Sequence, residues 1–338
     1  MKQAVMVAPG KIEFRAADAP VPGAGEVLLR IKRIGICGSD VHVYHGRHPY
    51  TSYPVIQGHE FAAVVEAVGA GVTGLRAGQK VTAMPQVVCG ACRPCRRGDY
   101  HICEHLKVQG FQADGVAQEL FVTGVEKVIP LPASFSLEQG ALVEPVSVAV
   151  HAVGRAGEVA GRNVAVLGAG PIGNLTAQVA RAAGANVLIT DLSDHRLEVA
   201  RSCGIASTAN AGAESLGDAA GRVFGKDGFD VAFECAGAEQ AISAAVENVS
   251  KGGTIVVVGV FGEKPAVDLG LVQDRELTLI GTLMYKKEDY EGAVAAIEAG
   301  SIVTDPLVSR HFDFADFLGA YRHIEEAGPE TMKVFIDL

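Results

Sequence analysis

The sequence lacks a cluster of basic residues, a long apolar run free of glycine and proline, and an apolar leader. Its 338 residues carry 29 basic and 39 acidic side chains, a formal net charge of −10, so we do not expect a nucleic-acid partner. The uncharged stretch 163–180 is broken by glycines and a proline, which predicts no membrane span. The first residues lack a secretory signal, so we expect a cytoplasmic protein.

The pattern of apolar residues changes once along the chain. A length of 338 residues suggests two domains, because one domain usually takes roughly 100–200 residues. Residues 11–132 show short apolar alternations broken by glycine, proline and aspartate, which predicts a mostly β, barrel-like half. From Leu137 onward, alanine-rich helical stretches alternate with apolar runs at 163–167, 186–190, 231–233 and 254–258. These runs indicate an α/β domain with a parallel sheet covered on both faces. A helix at 289–299 and a strand at 333–336 close the chain.

A glycine-rich string follows the first of these apolar runs and opens a helix. It comprises Gly168, Gly170, Pro171, Ile172 and Gly173. In a dinucleotide-binding turn the first glycine makes the tight turn, the second lets the pyrophosphate approach the backbone, and the third lets helix and strand pack. The helix N-terminus supplies free N–H groups for the phosphates. The alternative is a glycine turn in an ordinary α/β sheet.

Asp191 ends the next predicted strand, at the distance from the glycine string where a carboxylate binds the adenosine ribose. A carboxylate there accepts hydrogen bonds from the ribose hydroxyls and repels a 2′-phosphate, so we expect NAD rather than NADP. Arg196 could line the same ribose and soften that preference. Asp191 could also be a plain helix cap.

Four of the seven cysteines lie within one short segment: Cys89, Cys92, Cys95 and Cys103. Four thiolates at this spacing match a tetrahedral zinc site, and no position is left open for substrate. We therefore predict a structural zinc in a lobe at about 86–105. An iron–sulfur cluster or a disulfide pair is the alternative.

A second set of metal-binding side chains is more scattered. Cys37, His59 and Glu60 bring a thiolate, an imidazole and a carboxylate together, and Glu144 adds a carboxylate at the predicted domain junction. This mixture suits a zinc ion that keeps one position for water or substrate. The alternatives are a lone buried cysteine and a capping glutamate.

At these residues the sequence resembles the zinc-dependent medium-chain dehydrogenases, and within them the sorbitol (L-iditol) 2-dehydrogenase and polyol branch. The strings 35–42, 58–60 and 144–151, the four-cysteine lobe and the glycine string occur in the family's order. The resemblance covers about 25–260 and the ending 332–337. It implies a GroES-like β-barrel catalytic domain (1–149 and 288–338) and a Rossmann NAD-binding domain (150–287).

The resemblance also implies residue roles. Cys37, His59 and Glu60 would bind a catalytic zinc, with Glu144 as fourth ligand or as a neighbour acting through water. Liver-type alcohol dehydrogenases carry a second cysteine near the position of Glu144, so the glutamate favours the polyol branch.

Ser39 matches the hydroxyl that takes the substrate's proton in the family. His42 matches the outer end of the family's proton relay, and the alternative is a solvated loop histidine. Tyr44 and His45 are candidates to face the substrate, and packing within the protein is the alternative. Four basic side chains are candidates to pair with a substrate carboxylate: Arg47, His48, Lys286 and Lys287.

The expected function is hydride transfer between a secondary alcohol, of a polyol or sugar-derived substrate, and NAD, with two zinc ions per chain. Butanediol, L-threonine 3- and sugar-acid (galactonate-type) dehydrogenases of the same architecture are alternatives, and a non-catalytic NAD-binding redox sensor is a distant one. We expect a homodimer or homotetramer, paired through 277–280 unless that run is an internal strand. Cys203 and Cys235 are predicted to be buried structural thiols.

Overall fold

The computed structural model describes residues 1–338. The chain divides into two units: residues 1–144, 286–294 and 308–338 form unit 1, and residues 145–285 and 295–307 form unit 2. The first division falls inside the helix Leu137–Arg155, which also contains the predicted boundary at 149–150. No helix combines the length and the hydropathy needed to cross a membrane.

Unit 1 is built mainly from strands. In chain order its first strands are β1 (Lys2–Ala8), β2 (Lys11–Ala16), β3 (Glu26–Gly35), β4 (Val55–Ile56), β5 (Glu60–Val68), β6 (Lys80–Ala83), β7 (Gln86–Val87), β8 (Lys107–Val108), β9 (Leu120–Gly124) and β10 (Val128–Pro130). Two short helices, α1 (Gly38–Tyr44) and α2 (Arg93–Arg96), lie between them, and α3 (Leu137–Arg155) follows.

Unit 2 alternates strands with helices. Its strands are β11 (Asn163–Leu167), β12 (Asn186–Asp191), β13 (Ser207–Asn210), β14 (Val231–Glu234), β15 (Thr254–Val257) and β16 (Thr278–Gly281). The helices after β11 are α4 (Pro171–Ala182), α5 (Asp194–Ser202), α6 (Leu216–Phe224), α7 (Glu239–Asn248) and α8 (Leu269–Asp274). The chain continues through α9 (Lys287–Glu298), β17 (Val308–Asp313), α10 (Phe317–Ala327) and β18 (Lys333–Asp337).

The sheets of unit 1 pack around a large apolar core. A seven-stranded sheet has the order β10-β6-β5-β3-β18-β17, with β9 also paired to β3, and a three-stranded sheet has the order β2-β1-β4. Along β3 the alternating residues Val27, Leu29 and Ile31 are buried, because successive side chains of a strand point to opposite faces. The last strand, β18, pairs antiparallel with β3, placing Phe335 opposite Gly35. The end of the chain therefore lies beside the strand that leads into Cys37.

Unit 2 is a doubly wound sheet. All six strands run parallel in the order β13-β12-β11-β14-β15-β16, which is the order 3-2-1-4-5-6 of a dinucleotide-binding fold. Separate apolar clusters cover its two faces. Strand order reverses between β11 and β14, and a ligand of such a sheet binds at the carboxyl ends of the strands at that point.

The structure decides one point that the sequence left open and corrects the predicted burial of one cysteine. The run 277–280 forms β16, an edge strand rather than an internal one, because no later strand pairs beyond it. Cys203 is buried, and burial raises the pKa of its thiol to about 11. Cys235 is only half-buried, because it lies in the loop that leaves β14 at the carboxyl edge of the sheet.

Candidate functional site

The four cysteines of the lobe converge on one point. Their sulfur atoms all lie within 4.8 Å of one another, and the Sγ of Cys103 lies 3.5 Å from that of Cys89 and 3.8 Å from that of Cys92. Four sulfurs about 2.3 Å from one zinc ion stand about 3.8 Å apart. All seven cysteines are free thiols, so the geometry fits a zinc site rather than a disulfide.

Backbone N–H groups already point at the sulfurs of the lobe. The N–H of Cys89 and the N–H of His105 both donate to Sγ of Cys103, at 3.4 and 3.3 Å, and the N–H of Cys92 donates to Sγ of Cys89 at 3.3 Å. Hydrogen bonds from Cys95 and Glu104 lower the pKa of Cys92 to about 6. The loop is thus shaped to hold thiolates.

The second metal-binding set also converges. The ligand atoms of Cys37, His59 and Glu60 lie within 4.8 Å of one another. Cys37 precedes α1 as its N-cap. His59 directly precedes β5, and Glu60 is its first residue. Because β5 pairs with β3, Glu60 lies opposite Gly35. Nδ1 of His59 is buried without a hydrogen-bond partner. A thiolate, an imidazole and a carboxylate this close fit a zinc ion with an open position.

Glu60 is held by a lysine that the sequence analysis did not single out. Nζ of Lys333 lies 2.5 Å from both carboxylate oxygens of Glu60, and the two side chains are only 3% and 1% exposed. A Cβ on Gly35 would stand 2.4 Å from Oε2 of Glu60, so only glycine leaves room for the carboxylate there. A lysine at the start of the apolar strand 333–336 was the available signal, since lysine is rarely buried without a partner.

Several acidic groups surround the buried imidazole of His59 and change its pKa. Burial lowers the pKa of His59, but the nearby Asp40 and Cys37 outweigh it and raise the pKa to about 10 in the absence of metal. Glu144 is buried and its charge also contributes to the raised pKa values of His59 and Lys333. It lies outside the group of three ligand atoms.

The other predicted residues of unit 1 lie around this set. Ser39 is half-buried in the first turn of α1, and His42 is exposed three residues later. His48 stacks on Phe111 with 4.6 Å between ring centres, and Phe111 lies 4.9 Å from the ring of His59.

Four of the side chains considered for substrate contact have partners in the protein. One is His48, whose Nδ1 lies 2.7 Å from the hydroxyl oxygen of Thr51. Tyr44 stacks on Tyr321 and His45 pairs with Glu325. Lys286 pairs with Asp99 at 3.0 Å. Arg47 and Lys287 remain exposed.

The glycine string has the geometry of a pyrophosphate-binding turn. Gly168 has φ +102°, and a Cβ there would stand 2.9 Å from the N–H nitrogen of Ala236. A Cβ on Gly173 would stand 1.8 Å from the carbonyl oxygen of Gly168. A Cβ on Gly170 would meet only Arg196, at 3.8 Å, so open space remains beside this residue. Gly170 is the N-cap of α4, which begins at Pro171 and continues with Ile172.

Asp191 ends β12 beside this turn. Its carboxylate accepts hydrogen bonds from the backbone N–H groups of Ala169 at 2.6 Å and Ser193 at 2.8 Å. Arg196 lies 4.0 Å from it. The carboxylate therefore braces the turn.

Glu234 is a second brace that the sequence analysis missed. It is fully buried at the end of β14 and accepts hydrogen bonds from the N–H groups of Ala236 and Gly237, at 2.9 and 2.8 Å. This loop packs against Gly168. A glutamate directly after the apolar run 231–233 was the available signal, because a buried carboxylate needs hydrogen-bond donors.

Comparison with known proteins agrees with this geometry. The family model "Alcohol dehydrogenase GroES-like domain" matches residues 23–133, and "Zinc-binding dehydrogenase" matches residues 171–299. The chain belongs to the zinc-binding dehydrogenases, and the predicted fold class, a GroES-like domain with a Rossmann domain, is confirmed. The prediction of an enzyme of the zinc-dependent alcohol and polyol dehydrogenase family is confirmed as well.

Named relatives cover nearly the whole chain. It is 37% identical to the 2-dehydro-3-deoxy-L-galactonate 5-dehydrogenase of Pseudoalteromonas atlantica, over 94% of this chain and 93% of the relative. It is 35% identical to sorbitol dehydrogenase 2 of Saccharomyces cerevisiae, over 92% and 90%. The crystal structure of a zinc-binding dehydrogenase from Sinorhizobium meliloti bound to NADP matches with a TM-score of 0.91 and 30% identity, over 100% and 99%.

Proposed function

We propose that the chain transfers hydride between NAD and a secondary alcohol of a polyol or sugar-derived substrate, with Cys37, His59 and Glu60 holding the zinc ion at the reacting hydroxyl. The observation that carries this proposal is the convergence of the three ligand atoms within 4.8 Å. The four-cysteine lobe would hold a second, structural zinc.

Each residue near this site has a distinct task in the proposed reaction. When bound, zinc would supply a Lewis acid for the hydroxyl and the nicotinamide an acceptor for hydride. Ser39, next but one to Cys37, would accept the hydroxyl proton. His42, three residues further along α1 and exposed, would pass that proton to water. Glu144 would bind the metal directly or through a water molecule, which its burial and its charge effect on His59 support.

The cofactor would bind along the turn of unit 2, with its pyrophosphate at Gly170 and the N-terminus of α4, and its ribose at Asp191. The sheet order and the open space at Gly170 support this placement. A carboxylate repels a 2′-phosphate, so we propose NAD as the preferred cofactor, although the structurally similar Sinorhizobium protein was crystallised with NADP. Arg196, 4.0 Å from Asp191, would weaken that repulsion.

Asp191→Asn tests the cofactor assignment, because it keeps an acceptor oxygen and removes the charge. We expect the NAD-to-NADP ratio of kcat/KM to fall roughly 10–100-fold, the worth of a hydrogen bond to a charged group. The two oxygens of Asp191 accept from different backbone N–H groups, so Asp191→Asn keeps only one of the bonds to Ala169 and Ser193. Asp191→Ala would lose both and bind both cofactors less tightly. A ratio unchanged in Asp191→Asn would mean that this carboxylate does not select the cofactor.

A sugar acid is the second candidate substrate. The Pseudoalteromonas relative, at 37% identity, is named for one. Arg47 is exposed and is the candidate to pair with a carboxylate. His48 stacks on Phe111 beside His59, and burial lowers its pKa, so it would be a neutral neighbour of the substrate rather than a counter-charge.

The direct test is reduced-nicotinamide absorbance with NAD or NADP and a panel of polyols, butanediol, threonine and sugar acids. Turnover of polyols or neutral sugars supports the main proposal, and turnover of sugar acids alone supports the second. Zinc analysis separates both from the redox sensor, since the proposed enzyme needs both metal sites filled.

We also propose that two copies pair through β16. This strand is the edge of the parallel sheet, and Leu279 and Leu283 nearby are 37% and 54% exposed. Edge strands carry unpaired backbone groups that invite another strand. Light scattering tests the pairing: a dimer or tetramer is expected, Leu279→Lys should shift it toward the monomer, and a monomeric wild-type protein would contradict it.

The free thiols support the proposal of a reducing compartment, the cytoplasm.

A further inference from the structure

Behind His59 lies a series of hydrogen-bonded, buried polar side chains that takes no part in the proposed reaction. Its members are Asp40 on α1, Gln57 between β4 and β5, and Tyr321 on α10, each no more than 2% exposed. The hydroxyl of Tyr321 donates to Oε1 of Gln57 at 2.9 Å. Nε2 of Gln57 donates to the carbonyl oxygen of Asp40 at 3.2 Å and to its Oδ1 at 3.3 Å. Polar groups buried this deeply are costly unless they are paired.

The hydrogen bonds run in one donor-to-acceptor direction, from Tyr321 through Gln57 to Asp40. Oδ2 of Asp40 accepts from the N–H of Cys37 at 3.0 Å, so the carboxylate acts as an acceptor on both oxygens. The amide of Gln57 must therefore turn its NH₂ group toward Asp40 and its oxygen toward Tyr321. Burial raises the pKa of Tyr321 well above its ordinary value, so the phenol keeps the proton that it donates.

The chain ends at the unpartnered nitrogen of His59. Oδ1 of Asp40 lies 3.7 Å from Nδ1 of His59, too far for a hydrogen bond, and Nδ1 has no other partner. An imidazole that binds a metal through one nitrogen commonly donates its other N–H to a carboxylate, which fixes the ring and its tautomer. Oδ1 of Asp40 is placed to accept that hydrogen bond, and Gln57 holds Oδ1 in place.

We propose that Gln57 and Tyr321 are positioning residues for the metal site, acting on His59 through Asp40. This inference rests on the proposed function, because it takes His59 as a zinc ligand. Neither residue touches the three ligand atoms. Tyr321 is separated from Gln57 by 264 positions in the chain, so α10 near the C-terminus contributes to the orientation of a ligand near the N-terminus.

The competing explanation is that Tyr321 only fills the core. Its ring stacks on Tyr44 with 4.7 Å between centres and an angle of 2°, and it also contacts Phe317. Tyr321→Phe keeps both ring contacts and removes only the hydroxyl. Tyr53→Phe is a matched control, because Tyr53 also packs against this core and its hydroxyl donates to the carbonyl of Val43. That carbonyl keeps the hydrogen bond from Gly46.

The test measures zinc binding on the full chain by competition with a chelator, together with the absorption spectrum of the cobalt-substituted protein. For Tyr321→Phe we expect the catalytic site to bind zinc roughly tenfold less tightly and the cobalt spectrum to shift. A tenfold loss is near the low end of the losses in metal affinity seen when a residue that orients a metal ligand is replaced. Zinc in the lobe should bind as in the wild type, and Tyr53→Phe should match the wild type at both sites. Gln57→Met should weaken the same site at least as much.

A double variant decides whether the two residues act in series. In the Gln57→Met background, Tyr321→Phe should have no further effect, since the link to Asp40 is already cut. Equal zinc affinity and an unchanged cobalt spectrum in Tyr321→Phe would overturn the inference, and so would additive losses in the double variant. A wild-type chain that binds zinc only in the lobe would overturn the proposed function itself, and this inference with it.

Discussion

The two metal-binding clusters of unit 1 are built in opposite ways. The lobe takes all four ligands from residues 89–103, and the hydrogen bonds to its sulfurs come from the same loop. The Cys37, His59 and Glu60 cluster is supported by Lys333 and Tyr321, which lie 273 and 264 positions from their partners Glu60 and Gln57. A closed set of four thiolates leaves nothing for the fold to orient. An open site with three kinds of ligand has to be oriented by the surrounding fold.

Cys37→Ser should cause the largest loss of activity and show that the open cluster, not the lobe, is needed for turnover. Replacing a thiolate with a weak hydroxyl ligand removes the softest ligand of the open site, so we expect turnover to fall below detection while NAD binding and lobe zinc persist. Activity, cofactor fluorescence titration and zinc content measure this. Cys203→Ser, a buried thiol outside both clusters, is the control. A fully active Cys37→Ser protein would disprove the assignment.

Lys333→Met should have the next largest effect, on stability. It leaves the carboxylate of Glu60 buried without its counter-charge, and breaking a buried pair in this way costs about 3–5 kcal/mol. Denaturant unfolding of zinc-free protein measures the loss. Adding Glu60→Gln to the same chain should recover part of it, because the unpaired charge is then gone. If the double variant is no more stable than Lys333→Met, the pair does not carry this stability.

Cys103→Ser should disturb the lobe and spare the open site. We expect the lobe to lose its zinc and become sensitive to protease, because its short strands and turns have little apolar core of their own. Turnover should fall much less than in Cys37→Ser. Zinc content, limited proteolysis and activity report the three expectations. Loss of zinc from both clusters at once would mean that they are not independent.

Lys286→Met should give the smallest change. Lys286 pairs with Asp99 at the lobe, both side chains are about one third exposed, and water screens such pairs. The melting temperature and lobe zinc should stay close to wild-type values, with Lys287→Met as a neighbouring control. A clear loss of lobe zinc would show that this pair anchors the lobe.

Much of the fold was predictable because its signals are local. The strand at 163–167, the glycine string and the helix after it appear where the sequence pattern predicts them. The helix predicted at 289–299 spans Lys287–Glu298, and the strand at 333–336 extends to Asp337. Each follows from hydrophobic periodicity and turn residues within a short window. The edge position of β16 was left open, because pairing order depends on all the strands of the sheet.

The sequence by itself determined the family and predicted the two candidate ligand sets and the dinucleotide turn, since each depends on residue types at short spacing. Only the tertiary structure decided that Lys333 holds Glu60 and that Tyr321 reaches Asp40 through Gln57. No local pattern reports a contact across more than 260 positions. Such partners become visible only when the chain has folded and β18 and α10 lie beside Glu60 and Gln57. Burial then demands that each polar group be paired.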